Sequence, residues 1–194
     1  MNAATWADLV VEAADETTAS LGKVAGQDWT RNAAGLDWTC RATLDHLALG
    51  VVGYAGLLIA RPADRYVTLF ASLDPQAAIA DCLEGIRIAG RLLASAVREA
   101  DSDVRAWHPW GRSDAVGFAA MGVVELLVHG VDIGRALGLD WRPPERLCSP
   151  ALRRLFPEAP DGDDAAELLL WCTGRAELPG HGRRVRWQWA GTVR

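Results

Sequence analysis

Apolar residues recur at spacings of three and four over residues 5–21, where Trp6, Leu9, Val10, Ala13, Thr17 and Leu21 fall on one stripe. That period is 3.6 and predicts an amphipathic helix. Asp8, Glu12, Asp15 and Glu16 lie largely off the stripe, and Gly22 and Gly26 end it. A second helix starts after Thr39, a natural N-cap, and runs to about Ala60, where Arg61-Pro62 stops it. Gly50, Gly53 and Gly56 interrupt it, each costing about 1 kcal/mol of helix propensity relative to Ala. Glycines at that spacing make sense where another helix or a ligand comes close. The third helix is expected to start with Asp74 as N-cap and Pro75 at its first position. Its apolar stripe is Ile79, Cys82, Leu83, Ile86, Gly90, Leu93 and Val97, and it ends near Asp101. The fourth begins at Ser113 or Asp114 and ends near Leu137, with Gly138 just beyond. It is apolar on almost every side, so it belongs in the middle of a bundle.

After Pro143-Pro144 the pattern changes. Short helices are expected at 145–156 and 163–173, and residues 184–189 alternate polar and apolar like a strand. The reading is all-α: a four-helix bundle over residues 1–140, with 141–194 a short appendage of helices and an extended strand-like tail. The 194 residues and their 50% hydrophobic content fit one domain with such an addition and exclude a disordered chain. A formal net charge of −5 argues against nucleic-acid binding, which needs a basic face. The longest unbroken apolar run, 47–60, has 14 residues including three glycines. A membrane span needs about 20, so no membrane association is expected. The first residues lack the basic and apolar regions of a signal peptide, so a cytoplasmic protein is expected. Cys40, Cys82, Cys148 and Cys172 form no C-x-x-C pair and read as buried thiols. Nine Trp against three Phe and two Tyr is unusual, and several should cover a pocket or a small core. The Trp-rich tail also offers a surface for a second copy, so monomer and homodimer both stay open.

The chemistry concentrates on the second and fourth helices. Glu125 and His129 are four residues apart and share a helix face, one turn from each other. His46 lies on a second-helix face with Leu49, Gly50, Gly53 and Leu57. If the two faces meet, two imidazoles and a carboxylate converge in an apolar interior. The ordinary reading is a buried hydrogen-bonded cluster. The sharper one is a divalent cation, which offsets the several kcal/mol that a buried, unpaired carboxylate costs.

Two motifs extend this reading. Trp38-Thr39-Cys40-Arg41-Ala42-Thr43-Leu44-Asp45-His46-Leu47 opens the second helix, and Glu125-Leu126-Leu127-Val128-His129-Gly130-Val131-Asp132 lies in the fourth. As a pair, in this order, they resemble the mycothiol-dependent maleylpyruvate isomerase N-terminal domain family of the DinB-like superfamily, from about residue 5 to 139. The resemblance implies a DinB-like four-helix bundle. It implies a divalent metal, most commonly zinc, held by His46, Glu125 and His129, and mycothiol as a low-molecular-weight thiol cofactor. Nickel and iron suit the same ligands.

The implied protein is an enzyme in which the metal-bound thiolate attacks a small electrophilic substrate, giving transfer or isomerisation. The alternative is a non-catalytic metal- or ligand-binding protein on the same bundle. A zinc hydrolase is the weakest reading, since no H-E-x-x-H motif is present. Asp132 is placed either to orient an imidazole or as a surface carboxylate near the helix end. His108, in the loop Trp107-His108-Pro109-Trp110-Gly111, is either an exposed loop histidine, the ordinary case, or a general acid at a pocket mouth. Arg112 is a candidate for a substrate carboxylate, and Cys40 is no ligand. Isomerases of this family often carry a distinct C-terminal domain. The roughly 50 residues after the fourth helix resemble a shortened version, which puts maleylpyruvate isomerisation in doubt and gives Arg175 no catalytic role.

Overall fold

The structure, a computed structural model, describes residues 1–69, 71–162 and 164–193. Four long helices run α1 (Ala3–Gly22), α2 (Cys40–Ala60), α3 (Ile79–Glu99) and α4 (Ala115–Ala136). Around the bundle the order is α1, α3, α2, α4, and α4 also crosses the centre to reach α3. Two short helices follow, α5 (Glu145–Leu155) and α6 (Ala165–Cys172), and then a two-stranded ladder of β1 (Glu177–Leu178) and β2 (Gly182–Arg183). The all-α DinB-like bundle is thus the observed architecture.

Local chemistry sets the helix ends. Asn2, Thr39 and Asp114 each accept a backbone N–H from three residues on, at 2.9, 3.1 and 2.8 Å, and so cap α1, α2 and α4. At the end of α4, Gly138 takes a positive φ of 80° and Leu139 N–H returns to the Gly134 carbonyl at 2.8 Å. The start of α3 differs from expectation. Asp74-Pro75 forms a turn, with the Asp74 carboxylate accepting Gln76 N–H at 2.8 Å, and the helix begins only at Ile79. α2 braces this turn: the Arg41 guanidinium donates to the Asp74 and Ala77 carbonyls at 3.0 and 2.9 Å.

α4 is the core helix. Phe118, Met121, Leu126, Leu127 and Ile133 are fully enclosed. By length and composition α2 and α4 each pass as membrane spans, which the 14-residue run does not anticipate. Enclosure within the bundle accounts for the apolar character of α4, since 89% of its most apolar window is buried. Close approaches rely on missing side chains. A Cβ on Gly90 of α3 would stand 2.7 Å from the Ala14 Cβ of α1.

α5 packs on α4 and α6 on α5. Arg146 of α5 reaches Glu12 and Glu16 of α1, and the Glu145 carboxylate caps α6 by accepting Ala165 and Ala166 N–H at 3.0 and 3.3 Å. The anticipated first residue of that helix, Asp163, lies outside the described residues. The ladder falls just upstream of the alternating segment 184–189, which itself carries no strand. Burial follows the alternation only in part: Trp189 is buried and Trp187 packs on the core, but Val185, in phase with them, is 91% exposed.

Candidate metal centre in an aromatic cavity

A cavity of about 530 Å³ opens between α2, α4 and the loops that precede them. α2 presents His46 to it, and α4 presents Glu125 and His129. One donor atom from each lies within 4.8 Å of the others. Glu125 Oε2 stands 3.1 Å from His129 Nε2 and 4.0 Å from His46 Nε2. Donors around a tetrahedral ion with bonds of about 2.1 Å are about 3.4 Å apart, so the two observed separations bracket what one ion requires. Two imidazoles and a carboxylate are also the right donor chemistry for a borderline divalent cation. The residues fit a metal.

Neighbours fix each donor. The other carboxylate oxygen of Glu125, Oε1, accepts the buried Tyr54 hydroxyl at 3.2 Å, which leaves Oε2 for the imidazoles. His129 Nδ1 donates to Asp132 Oδ2 at 3.1 Å, so Nε2 is the nitrogen that faces Glu125. Asp132 is 1% exposed, not a surface residue. Arg175, just beyond α6, grips it from the far side, with Nη2 at 2.9 Å and Nε at 3.3 Å from Oδ2. Trp38, at the cavity mouth, tilts against the His46 ring with centroids 4.8 Å apart.

The electrostatics follow from this packing. Burial alone pushes the Glu125 carboxyl up, but hydrogen bonds and charge from His129, with His46 and Tyr54 adding, bring it below its ordinary value. Burial opposes protonation of His129, yet its hydrogen bonds to Asp132 and Glu125 outweigh that and raise it to about 9. His46 is lowered, chiefly by burial, which favours the neutral ring a metal needs.

His108 is not an exposed loop residue. It is 5% exposed and lines the cavity, with its ring among Tyr54, Tyr66, Trp110, Phe118 and Trp189. Burial lowers it to about 4, so it is neutral at pH 7. Arg112 is exposed and does not line the cavity. Cys40 is a buried free thiol, as are the other three cysteines. Gly50 and Gly53 face the cavity with nothing within 4 Å of a would-be Cβ, whereas Gly56 is covered by Val67. Tyr54 and Arg175 were not legible as site residues. A Tyr eight residues after His46 falls near its face, a weak signal for the first, and nothing local marks the second.

The tail completes the wall. A Cβ on Gly191 would sit 2.7 Å from the Trp110 carbonyl oxygen, and one on Gly111 would sit 2.7 Å from Thr192 Cγ2. Backbone therefore lies on backbone here, with Gly191 N–H donating to Trp110 at 3.1 Å and Ala190 N–H to Leu155 at 2.7 Å. That docking holds Trp187 and Trp189 against the cavity.

Neither a curated protein nor a solved structure matches the chain. A family does match, that of the mycothiol maleylpyruvate isomerase N-terminal domain, over residues 10–134. This span holds all three donors and Asp132, and it covers well over half of the chain. The protein therefore belongs to the mycothiol maleylpyruvate isomerase N-terminal domain family.

Proposed function

We propose that the protein is a divalent-metal-dependent enzyme that uses a low-molecular-weight thiol, mycothiol, for transfer to or isomerisation of a small electrophilic substrate. The observation that carries this reading is the convergence of His46, Glu125 and His129 at the wall of an open cavity. A closed structural site would have four protein ligands, whereas three leave room for an exogenous one. Zinc suits the donor set. A metal bound there supplies a Lewis acid that lets a thiol ionise at neutral pH.

The chain's own residues then have distinct tasks. Asp132 holds His129 in the tautomer that offers Nε2, and Tyr54 limits Glu125 to one free oxygen. The aromatic walls exclude water and take up the apolar part of the substrate. The thiolate sulfur bonds to an electrophilic carbon of the substrate. In isomerisation the carbon skeleton rotates and the same C–S bond breaks, which returns the thiolate. In transfer the adduct takes a proton and leaves as the product. In this reading residues 1–140 carry the donors and 141–194 close the cavity. Four buried free cysteines accord with a reducing cytoplasm.

The test is turnover of an electrophile panel by zinc-loaded protein with and without mycothiol. The reading predicts thiol-dependent consumption that is abolished by His46→Ala. Stoichiometric metal without any thiol-dependent turnover would leave a non-catalytic binding protein instead.

A further inference from the structure

The distribution of donors and charges inside the cavity says something about the substrate itself. His108 Nδ1 accepts the Trp110 backbone N–H at 3.1 Å, so in the neutral ring the proton sits on Nε2. Nε2 has no hydrogen-bond partner among the described residues, yet it is not one of the buried unpartnered atoms. The ring is otherwise enclosed, so Nε2–H keeps its contact with the cavity. The Trp189 indole, with its ring 5.7 Å from that of His108, has its own N–H unpartnered but fully buried, out of reach of a cavity ligand. His108 Nε2–H is therefore a donor in this wall that no protein acceptor fills. An unmet donor in a dry wall costs free energy that a bound acceptor recovers.

The same cavity offers little to an anion. Arg175 is the one arginine or lysine among its described lining residues, and Asp132 already neutralises it. A divalent cation bound by the Glu125 carboxylate and a thiolate carries no net charge, so the loaded site provides no further counter-charge. The remaining walls are Leu, Val, Gly, Pro and aromatic side chains. A dicarboxylate would be desolvated there with hydrogen-bond donors in reach but no free counter-charge.

We propose that the substrate is an uncharged, largely apolar carbonyl compound, bound with its carbonyl oxygen on His108 Nε2–H, and not a dicarboxylate. This rests on the metal–thiol reading for the site's identity, but the binding it describes needs neither metal nor thiol. Once bound, the carbonyl accepts a hydrogen bond that withdraws electron density from the carbon conjugated to it. His108 is thus a specificity-determining residue.

Ligand-observed NMR titration tests this with three probes: acetophenone, α-methylstyrene (the same shape with a methylene for the oxygen) and maleate. Each is titrated into metal-free protein and into zinc-loaded protein with excess 2-mercaptoethanol. His108→Phe should weaken acetophenone by about three- to tenfold and leave α-methylstyrene within about twofold. His108→Gln, whose amide N–H can stand in for Nε2–H, should restore acetophenone binding. Maleate should bind at least about 100-fold more weakly than acetophenone in both states. Should the Phe variant fail to fold, the ¹⁵N shift of His108 Nε2 in the unaltered protein decides: it should move with acetophenone and stay with α-methylstyrene. Maleate binding within tenfold of acetophenone would overturn the proposal, as would acetophenone binding that ignores His108. Metal content and thiol-dependent turnover are measured separately, so loss of one conclusion does not remove the other.

Discussion

Arg175, Asp132 and His129 form a chain in which each side chain holds the next, and its end is the Nε2 that faces Glu125. Removing the first member leaves a carboxylate that is 1% exposed with His129 as its remaining partner. Breaking a buried pair from one side costs about 3–5 kcal/mol, and the bond that His129 keeps sets the loss at the lower end. Arg175→Met should therefore lower unfolding free energy by about 3 kcal/mol and zinc affinity by about tenfold or more. Adding Asp132→Asn to that variant should recover part of the stability, which denaturant titration of the four proteins measures. His108 gives a pH signature. Its pKa is about 4 in the fold against an ordinary 6.5, so the unfolded chain takes up a proton that the fold refuses. Stability linked to His108 is complete above pH 6.5, falls as the pH drops toward 4 and levels off below. In metal-free protein the advantage of wild type over His108→Gln should shrink across that window; a constant difference would contradict the burial argument. Of these residues, Glu125 and His129 were legible because helix geometry alone puts i and i+4 together. Arg175 was not, because its partner is 43 positions away and only tertiary packing joins them.

At the scale of elements, the glycines of α2 do two different things. Gly56 admits Val67, whose methyl carbons would lie 3.4 Å from a Cβ. Gly50 and Gly53 admit nothing, and their bare backbone leaves volume to the cavity. Gly53→Ala should thus stabilise α2 by up to about 1 kcal/mol while weakening apolar ligands in the cavity. A melting curve and a binding titration on the same variant check both halves, and a gain in stability with unchanged binding would place the cavity elsewhere. The spacing of these glycines announced a close approach, but the sequence left helix and ligand as equal explanations. The start of α3 is not legible for a related reason. Asp74-Pro75 carries a strong local helix signal, but there it forms a separate turn, closed by Ala77 N–H on the Asp74 carbonyl and braced by Arg41, 33 positions earlier. The starts of α2 and α4 are legible because their caps are local: Thr39 and Asp114 bind N–H groups three residues away.

Across the whole molecule, the bundle supplies the donors and the chain after α4 adds Arg175, Trp187 and Trp189 to the wall around them. Trp187 and Trp189 line the cavity because two glycines let the tail lie on the 107–112 loop. Helical periodicity reveals the bundle, whereas the alternation over 184–189 marks an unpaired segment in which Trp187 and Trp189 pack inward and Val185 does not. The enclosed position of α4 was legible from its lack of a polar face. Its apolar length equally satisfies the test for a membrane span, which only packing resolves. Whether residues from two helices bind one cation together is decided by equilibrium dialysis against zinc with elemental analysis. The unaltered protein should hold about one zinc per chain, and the His46→Ala, Glu125→Gln double variant should lose nearly all of it, with helical content retained by circular dichroism. Undiminished zinc in that folded variant would contradict a shared site.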